Sequence, residues 1–327
     1  MQNNGISSQI YSLLNNEEFR PTTNLVISNC RAYDYLDNVK PNLEKLTTNY
    51  YDTFSITNKF TGYFSNITVG QFFNSLSSDY CDGTAILGGL DATARQKQTD
   101  NSSDNTSESS TENSNNDSSQ TNSSKLDENV ITNPEDLLAG SSSIQGKRGS
   151  ENIGIAVFDD DKLCGELTAI ETICHLLINN NVDSCIVSIP NPYPDGNKEK
   201  VELSLVPTKR SKISVKIDDD IPHISVKLNL QASILTLEND INYEDKQTLE
   251  KFSKSTEDYL KQQFNNYFNK LTKEYGTDID CFCNKALKNF ATEKEWKDFD
   301  WSEKFKSSNF DIDVNVDTIS SILITKT

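Results

Sequence analysis

The chain has 327 residues, of which 49 are acidic and 31 basic, giving a formal charge of −18. Such a chain is repelled by phosphate backbones, and no cluster of Lys and Arg offsets the repulsion, so we expect no nucleic-acid partner. The same charge opposes electrostatic binding to anionic lipid, and no run of about 18 apolar residues could span a bilayer. Any membrane attachment would therefore require a lipid anchor or a partner.

The first block, residues 1–94, has a mixed pattern of helices and strands. Apolar residues at spacings of three and four predict helices, and short apolar runs predict strands. We predict helices over residues 6–14, 32–38, 43–58 and 68–77, and strands over residues 24–28 and 84–87. Two short strands are too few for an independently stable sheet, so we expect a partial N-terminal α+β domain.

Residues 95–150 are set apart by their composition. The stretch 99–124 consists of Asn, Ser, Thr, Asp, Glu and Gln, without any aliphatic or aromatic residue. Such a segment cannot bury enough apolar surface to offset the entropy lost on ordering. We therefore predict a disordered, Asn/Ser-rich insert over residues 95–150, which proteases would cut first.

The second block, residues 151–327, changes to alternating strands around acidic turns. We predict a hairpin over 153–158 and 162–167, a helix over 169–178, and strands over 185–189, 201–206, 213–217 and 224–230. The acidic triplets 159–161 and 218–220 are interpreted as hairpin turns. Clear alternation of apolar and polar residues predicts an antiparallel sheet with one face in water.

The longest predicted helix covers residues 243–275, with Asn242 as its N-cap and Gly276 as its stop. A shorter helix, residues 278–290, and a last strand, residues 310–316, complete the chain. The predicted fold class is α+β: the mixed N-terminal domain is followed by a C-terminal domain in which an antiparallel sheet is packed by one long helix.

Four aromatic residues of the long helix cover more than one narrow stripe: Tyr259, Phe264, Tyr267 and Phe268. Aromatic residues beyond those needed for a core are typical of protein interfaces, so these four are candidate interface residues. The alternative is that all four pack on the sheet beneath, as in a helix with a wide apolar stripe.

Few residues suggest a metal site. The series Asp311, Asp313, Asn315 and Asp317 resembles the first ligands of an EF-hand loop, but Val316 stands where a Gly is needed. We interpret these carboxylates as the solvated face of a strand. The seven cysteines are scattered and odd in number, which favours free thiols and no zinc site.

The sequence also lacks the patterns of common catalytic sites. It contains no nucleophile elbow, phosphate-binding loop or His-Glu-x-x-His motif. Glu166 and Glu171 could form an acid/base pair, although first-turn helix electrostatics explains Glu171 equally. His175 is interpreted as a packed helix residue, and His223 has no nucleophile at a suggestive spacing. We therefore expect a protein that is no enzyme and has no metal or cofactor.

Three stretches, taken in order, resemble one family. Residues 18–28 (EFRPTTNLVIS) are similar to a first-domain motif of the Ger(x)C spore germination proteins. A second stretch resembles the family signature and contains Gly154, Phe158, Lys162, Leu163, Gly165, Glu171 and Thr172. The long helix, residues 294–296 and the last strand resemble the family's C-terminal domain in order. The chain departs from the signature at Ile173 and Cys174, where members usually have a basic residue and a Gly.

The resemblance implies the C subunit of a nutrient germinant receptor, without catalytic residues. It further implies a lipoprotein on the outer surface of the spore inner membrane that assembles with integral membrane subunits. Family members begin with a signal peptide and a lipid-modified Cys, so we expect this sequence to be an N-terminally truncated member. The alternative is a generic extracellular module that binds a ligand or a polysaccharide. A convergent aromatic or charged pocket would favour the module, and a broad shallow surface the assembly subunit.

Overall fold

The computed structural model describes residues 5–39, 51, 53–78, 81–91, 94, 136–141, 149–193, 199–236, 242 and 245–319. Two four-stranded sheets and the helices that cover them make up these residues, in agreement with the predicted α+β class. Among the helices in this part of the chain, none is long and apolar enough to cross a membrane.

The elements of the first block follow the predicted order. They are α1 (Ser7–Leu14), β1 (Val26–Ser28), α2 (Ala32–Asp37), α3 (Phe54–Thr61), α4 (Val69–Leu76) and β2 (Thr84–Leu90). The predicted helix 43–58 overlaps α3 only at its end, and its residues 43–50 lie outside the described residues. Helix α4 begins with a capping box in which Thr68 and Gln71 bond reciprocally, which fixes its start.

The second block continues with longer strands and helices. They are β3 (Ser150–Asp159), β4 (Lys162–Leu167), α5 (Ala169–Asn179), β5 (Cys185–Pro190), β6 (Lys200–Asp218), β7 (Ile221–Ile234), α6 (Lys246–Asn269), a π-helical segment (Lys270–Tyr275), α7 (Cys283–Ala286), a 3₁₀ turn (Leu287–Asn289), α8 (Glu293–Phe299), α9 (Trp301–Phe305) and β8 (Asn309–Ile319). The predicted strands 201–206 and 213–217 are two parts of the single strand β6, which is bulged between Pro207 and Lys212.

Sheet 1 has the order β1-β2-β3-β4. Strand β1 is parallel to β2, and the other pairs are antiparallel. The hairpin β3–β4 comes from the second block, so it completes the sheet that β1 and β2 begin. The division of the chain into folding units at residue 150 stays a prediction.

Residues 136–141, within the predicted insert, pack on sheet 1. Ala139 is buried, and its amide donates to the carbonyl of Ile153 at 3.0 Å. Leu137, Leu138 and Ala139 supply apolar surface that the Asn/Ser tract lacks, and the disordered insert over residues 95–150 stays a prediction. Residues 95–135 and 142–148 lie outside the described residues.

Sheet 2 has the order β5-β6-β7-β8, with antiparallel pairs except the last. Strand β8 is parallel to β7, so the predicted all-antiparallel sheet is corrected to a mixed one. The length of α6 explains why β8 is parallel to β7. The 24 residues of α6, with a rise of about 1.5 Å per residue, span roughly 36 Å, which is similar to the length of the 11 residues of β8 at about 3.3 Å per residue. The helix thus returns the chain to the end where β7 starts.

The N-cap of helix α6 lies three residues later than predicted. Asp245, not Asn242, caps it, accepting from the amide of Thr248 at 3.1 Å. At the other end, Gly276 adopts φ +71° and stops the π-helical segment, as predicted. The larger core lies between sheet 2 and helices α5 and α6, and a smaller one lies between sheet 1 and helices α1 and α4.

Candidate functional site

The two glycines of the family signature are positions where another backbone or ring comes close. Gly154 has φ +90°, and a Cβ there would overlap the carbonyl oxygen of Leu167. Gly165 lies against Tyr275, and a Cβ there would overlap its ring. Only a residue without a side chain permits these approaches, so both glycines are explained by packing.

Glu171 connects the start of α5 to the end of α6. It closes a capping box with Thr168, and its carboxylate accepts from Lys270 Nζ at 2.8 Å. The same ammonium donates to the carbonyl of Glu166 at 3.0 Å, which also accepts from the Tyr275 hydroxyl at 2.8 Å. Burial opposes the charge of Lys270, but Glu171 outweighs it and raises the pKa of Lys270. We call Gly165, Glu166, Glu171, Lys270 and Tyr275 the signature junction.

The remaining signature residues have packing or surface positions. Phe158 is buried edge-on against Phe72, with ring centroids 4.8 Å apart, and Thr172 is buried in α5. Leu163 is half-buried beside the smaller core, and Lys162 is exposed in the hairpin. The signature therefore joins sheet 1, α5 and the end of α6.

A buried polar cluster beside the junction was not foreseen from the sequence. Asp280 accepts from the Tyr267 hydroxyl at 2.8 Å and from the Asn179 amide at 2.7 Å, and His175 Nδ1 lies 2.8 Å from it. Burial, together with Asp280, raises the pKa of Tyr267. His175 is packed inside, as the sequence predicted, but its carboxylate partner lies 105 residues away and has no local signal.

A second buried carboxylate, Asp278, holds the loop after α6. It accepts from the amides of Phe282 and Cys283 at 3.0 and 2.8 Å and from the Trp301 indole at 3.0 Å. Burial raises the pKa of Asp278 to about 7. The backbone amide of Asp278 donates to the carboxylate of Asp82. Burial raises the pKa of Asp82 to about 6. These groups are engaged in structural bonds, with Asp82 linking the approach to β2 with this loop.

A disulfide joins the same two segments. Cys81 and Cys281, 200 residues apart, are bonded, with their Cα atoms 4.9 Å apart. The prediction that all cysteines are free thiols is therefore wrong for this pair, because the fold brings together two positions that the spacing of the sequence does not relate. Cys30, Cys164, Cys174, Cys185 and Cys283 are thiols that take part in no disulfide among the described residues, as predicted.

Burial contradicts an interface role for three of the four candidate residues on α6. Phe264, Tyr267 and Phe268 are 0–2% exposed, and Phe268 stacks on Phe310 of β8 at 4.1 Å. These three belong to the core because β8 lies beneath the helix, which agrees with the alternative that the helix packs on the sheet. Tyr259 is half-buried and lines an open groove.

Two open grooves lie on the second sheet and its helix. The first, about 460 Å³, is lined by the end of β5 and by α6, including Pro190, Lys251 and Tyr259. The second, about 510 Å³, lies on the outward face of β6, β7 and β8 and includes Lys216, His223 and Asp311.

The EF-hand-like carboxylates extend along that outward face as a strand, with Asp313 paired to Lys227 at 2.6 Å. The acidic triplets are hairpin turns, as predicted, with positive φ at Asp160, Asp219 and Asp220. Within the part of the chain that the structure covers, His, Cys, Asp and Glu form no cluster able to hold a metal ion.

Comparison with known proteins adds the following findings. A family model described as "Spore germination B3/ GerAC like, C-terminal" matches residues 153–321, and one described as "Spore germination protein N-terminal domain" matches residues 1–90. Among solved structures, the crystal structure of the GerBC protein has a similar fold, with a TM-score of 0.63. Its sequence is 13% identical, and the match covers 98% of this chain and 76% of that chain. No curated protein matches the chain.

Proposed function

Since this chain belongs to the spore germination B3/GerAC-like family, we propose that it is the non-catalytic C subunit of a germinant receptor. In this role it assembles with integral membrane subunits during nutrient-triggered germination. Its location is the outer surface of the spore inner membrane, where a lipid anchor holds it. The pairing with membrane subunits and the extracytoplasmic location are part of the proposal.

The observation that carries the proposal is the contrast between interior and surface. The groups best suited to chemistry, His175, Asp278 and Asp280, are buried and bonded to neighbouring helices and loops. The surface of the second sheet instead offers wide grooves that open to water and rows of polar side chains. Broad, shallow surfaces of this kind suit contact with another protein better than they suit turnover of a substrate.

A ligand-binding module is the second candidate, and the groove beside Tyr259 favours it. Pro190, Pro192 and Lys251 converge there with the aromatic ring. Stoichiometric binding of a nutrient or an oligosaccharide to the purified chain, measured by calorimetry, would support the module and contradict the assembly subunit.

Co-purification tests the assembly role directly. The chain is co-expressed with the multi-spanning membrane proteins encoded beside its gene, solubilised in detergent and captured by a tag. We expect the membrane proteins to be recovered with it, and Tyr259→Ala to reduce the recovery because Tyr259 is the half-buried member of the candidate interface. Tyr11→Ala, at a 59% exposed position on α1, is the matched control and should leave the recovery unchanged. Failure to recover any membrane protein with the unaltered chain would overturn the proposal.

A further inference from the structure

Exposed apolar side chains collect at one edge of sheet 2. Ile56 and Phe60 lie one helical turn apart on α3 and are 59% and 54% exposed. Ile186 on β5 and Val206 on β6 are 39% and 38% exposed. Grouped exposed apolar residues mark interaction surfaces, whereas isolated ones need no explanation. Whether these four are grouped depends on how α3 meets the sheet.

Backbone hydrogen bonds fix α3 to this edge. The amides of Asp183 and Ser184 donate to the carbonyl of Lys59 at 2.8 and 2.9 Å, and the Ser184 hydroxyl donates to the carbonyl of Phe60 at 3.5 Å. The residue after Ser184 begins β5. The end of α3 therefore lies directly at the entry of that strand.

The register of β5 and β6 places the two strand residues on the outward face. Ile186 is directly opposite Ser204, and Val206 follows two residues later on the same strand. Residues two apart on a strand share a face, so Ile186 and Val206 are diagonal neighbours. Residues 183–184 join the end of α3 to the entry of β5, so Ile56 and Phe60 lie beside this strand.

Basic side chains lie near these apolar residues, although one exposed carboxylate, Glu202, lies two residues before Ser204 on the same outward face of β6. Lys59 is exposed on α3, and Lys209, Arg210 and Lys212 are exposed in the bulged part of β6. Cross-strand pairing with the outward residues of β7 places Lys209 and Lys212 on the same face as Val206. The segment between α5 and β5 contributes one exposed carboxylate, Asp183.

The bulge of β6 is tied to the same segment that binds α3. The Asn180 side chain and Ser211 exchange two hydrogen bonds, of 2.7 and 2.8 Å. Residues 180–184 thus connect the cations of β6 to Lys59. We call the surface formed by Ile56, Lys59, Phe60, Ile186, Val206, Lys209, Arg210 and Lys212 the basic corner.

We propose that the basic corner rests on the surface of an anionic lipid bilayer. The formal charge of −18 belongs to the whole chain. A charged surface, however, is screened beyond roughly 8–10 Å, so a bilayer senses the residues that face it. Cations draw that face to anionic headgroups, and large apolar side chains among them enter the boundary between headgroups and acyl chains.

The shape of the basic corner favours a lipid surface over a peptide. None of its residues lines either of the two grooves described above. A bound peptide needs a groove or a strand edge with pockets, whereas a bilayer needs only exposed anchors and cations. The inference rests on the proposed membrane location and assigns the face of the chain that points toward the membrane.

Vesicle flotation tests the inference with the full chain carrying no lipid modification. We expect binding to vesicles that contain phosphatidylglycerol, and weaker binding to vesicles of phosphatidylcholine alone. Raising the salt concentration to about 0.5 M should weaken binding, because it screens the cations. Absence of binding to the phosphatidylglycerol vesicles would overturn the inference.

Matched variants locate the contact. Lys209→Gln with Arg210→Gln should lower the affinity for phosphatidylglycerol vesicles by about tenfold or more, since each cation near an anionic surface contributes roughly a fivefold factor. Phe60→Ser should also weaken binding. The controls are Lys285→Gln with Lys288→Gln, exposed in α7 and in the 3₁₀ turn after it, and Tyr33→Ser, which is 76% exposed on α2. Equal losses in variants and controls would contradict the inference.

The outcomes distinguish this inference from the proposed function. A chain that recovers membrane subunits in detergent but does not float with vesicles overturns the lipid contact and leaves the assembly role standing. If the variants of the basic corner bind vesicles normally but lose the membrane subunits, the corner is a protein contact and the inference is wrong. Loss of vesicle binding with normal subunit recovery supports it.

Discussion

Gly165 lies under the ring of Tyr275, at the point where β4 meets the end of α6. The Tyr275 hydroxyl accepts from the amide of Glu166 and donates to the carbonyl of the same residue. These two hydrogen bonds fix the position of the ring. A methyl group at position 165 must displace the ring and break these bonds.

We expect Gly165→Ala to destabilise the protein by about 1–3 kcal/mol, the usual cost of overpacking. Denaturant unfolding at neutral pH measures this cost. Gly149→Ala is a poor control because it also meets a close neighbour, whereas Ser225→Ala, on the outward face of β7, leaves the core untouched. If Gly165→Ala and Ser225→Ala were equally stable, Tyr275 would not be held as described.

Asp82 and Asp278 make the free energy of unfolding depend on pH. Burial raises the pKa of Asp82 to about 6 and that of Asp278 to about 7, both above the ordinary value of 3.8. The folded state therefore binds more protons than the unfolded state between about pH 4 and 7. Stability contributed by these groups is present at low pH and is lost as pH rises through 6 and 7.

We expect the melting temperature of the unaltered protein to contain a component that falls between pH 5 and pH 8. Asp82→Asn should reduce this fall, because the amide oxygen can still accept from the Asp278 amide without carrying a charge. Asp311→Asn, at an exposed position on β8, is the control and should leave the pH profile unchanged. An unchanged profile in Asp82→Asn would contradict the assignment.

At the scale of elements, the disulfide ties the approach to β2 to the loop between α6 and α7. Asp82 and Asp278 reinforce the same connection, since the amide of each donates to an oxygen of the other residue. The bond closes a loop of about 200 residues, which restricts the unfolded chain strongly in the entropic view of disulfides.

We expect five thiols to react in denaturant without reductant, and seven after reduction. Cys81→Ser should lower the free energy of unfolding by about 2–5 kcal/mol under oxidising conditions, the usual effect of removing a native disulfide. Cys30→Ser, which removes a cysteine of the first block that is outside the disulfide, is the control. Seven reactive thiols before reduction would contradict the bond.

At the scale of the whole molecule, sheet 1 joins residues from both sides of the Asn/Ser-rich tract. Strand β2 precedes the tract and pairs with β3 after it over residues 84–90 and 150–157. Cleavage within the tract would therefore not separate the two parts of the sheet. This differs from the simple expectation that a cut insert releases two independent pieces.

Limited proteolysis tests that arrangement. We expect the first cuts within residues 95–135, with the two products eluting together in gel filtration because β2 and β3 stay paired. On a denaturing gel they should run together without reductant and separate with it, since Cys81 and Cys281 lie in different products. The two products could also be run on gel filtration after the disulfide is reduced, in a buffer without denaturant. If they eluted separately, the shared sheet would be contradicted.

The helices α1, α2, α4 and α5 and the strands β1 to β8 occur close to where periodicity predicts them. Their local signals are strong because apolar spacing and end signals agree: α5, for example, starts at the capping box of Thr168 and Glu171. The family signature could also be recognised from the sequence, because its residues lie within one continuous stretch of the chain. Two features could not be predicted from the sequence: the parallel direction of β8 and the bulge that makes β6 one strand. Periodicity carries no information about which strands pair or in which direction.

The sequence by itself determined the α+β class, the acidic charge, the order of most elements and the family resemblance. These follow from local composition and periodicity, which depend on residues near one another in the chain. Only the tertiary structure decided that Phe264, Tyr267 and Phe268 are core, that Cys81 bonds Cys281, and that Asp280 meets His175. Each of these depends on contact between segments about 40 to 200 residues apart, which are brought together only when sheets and helices bury their apolar faces on one another.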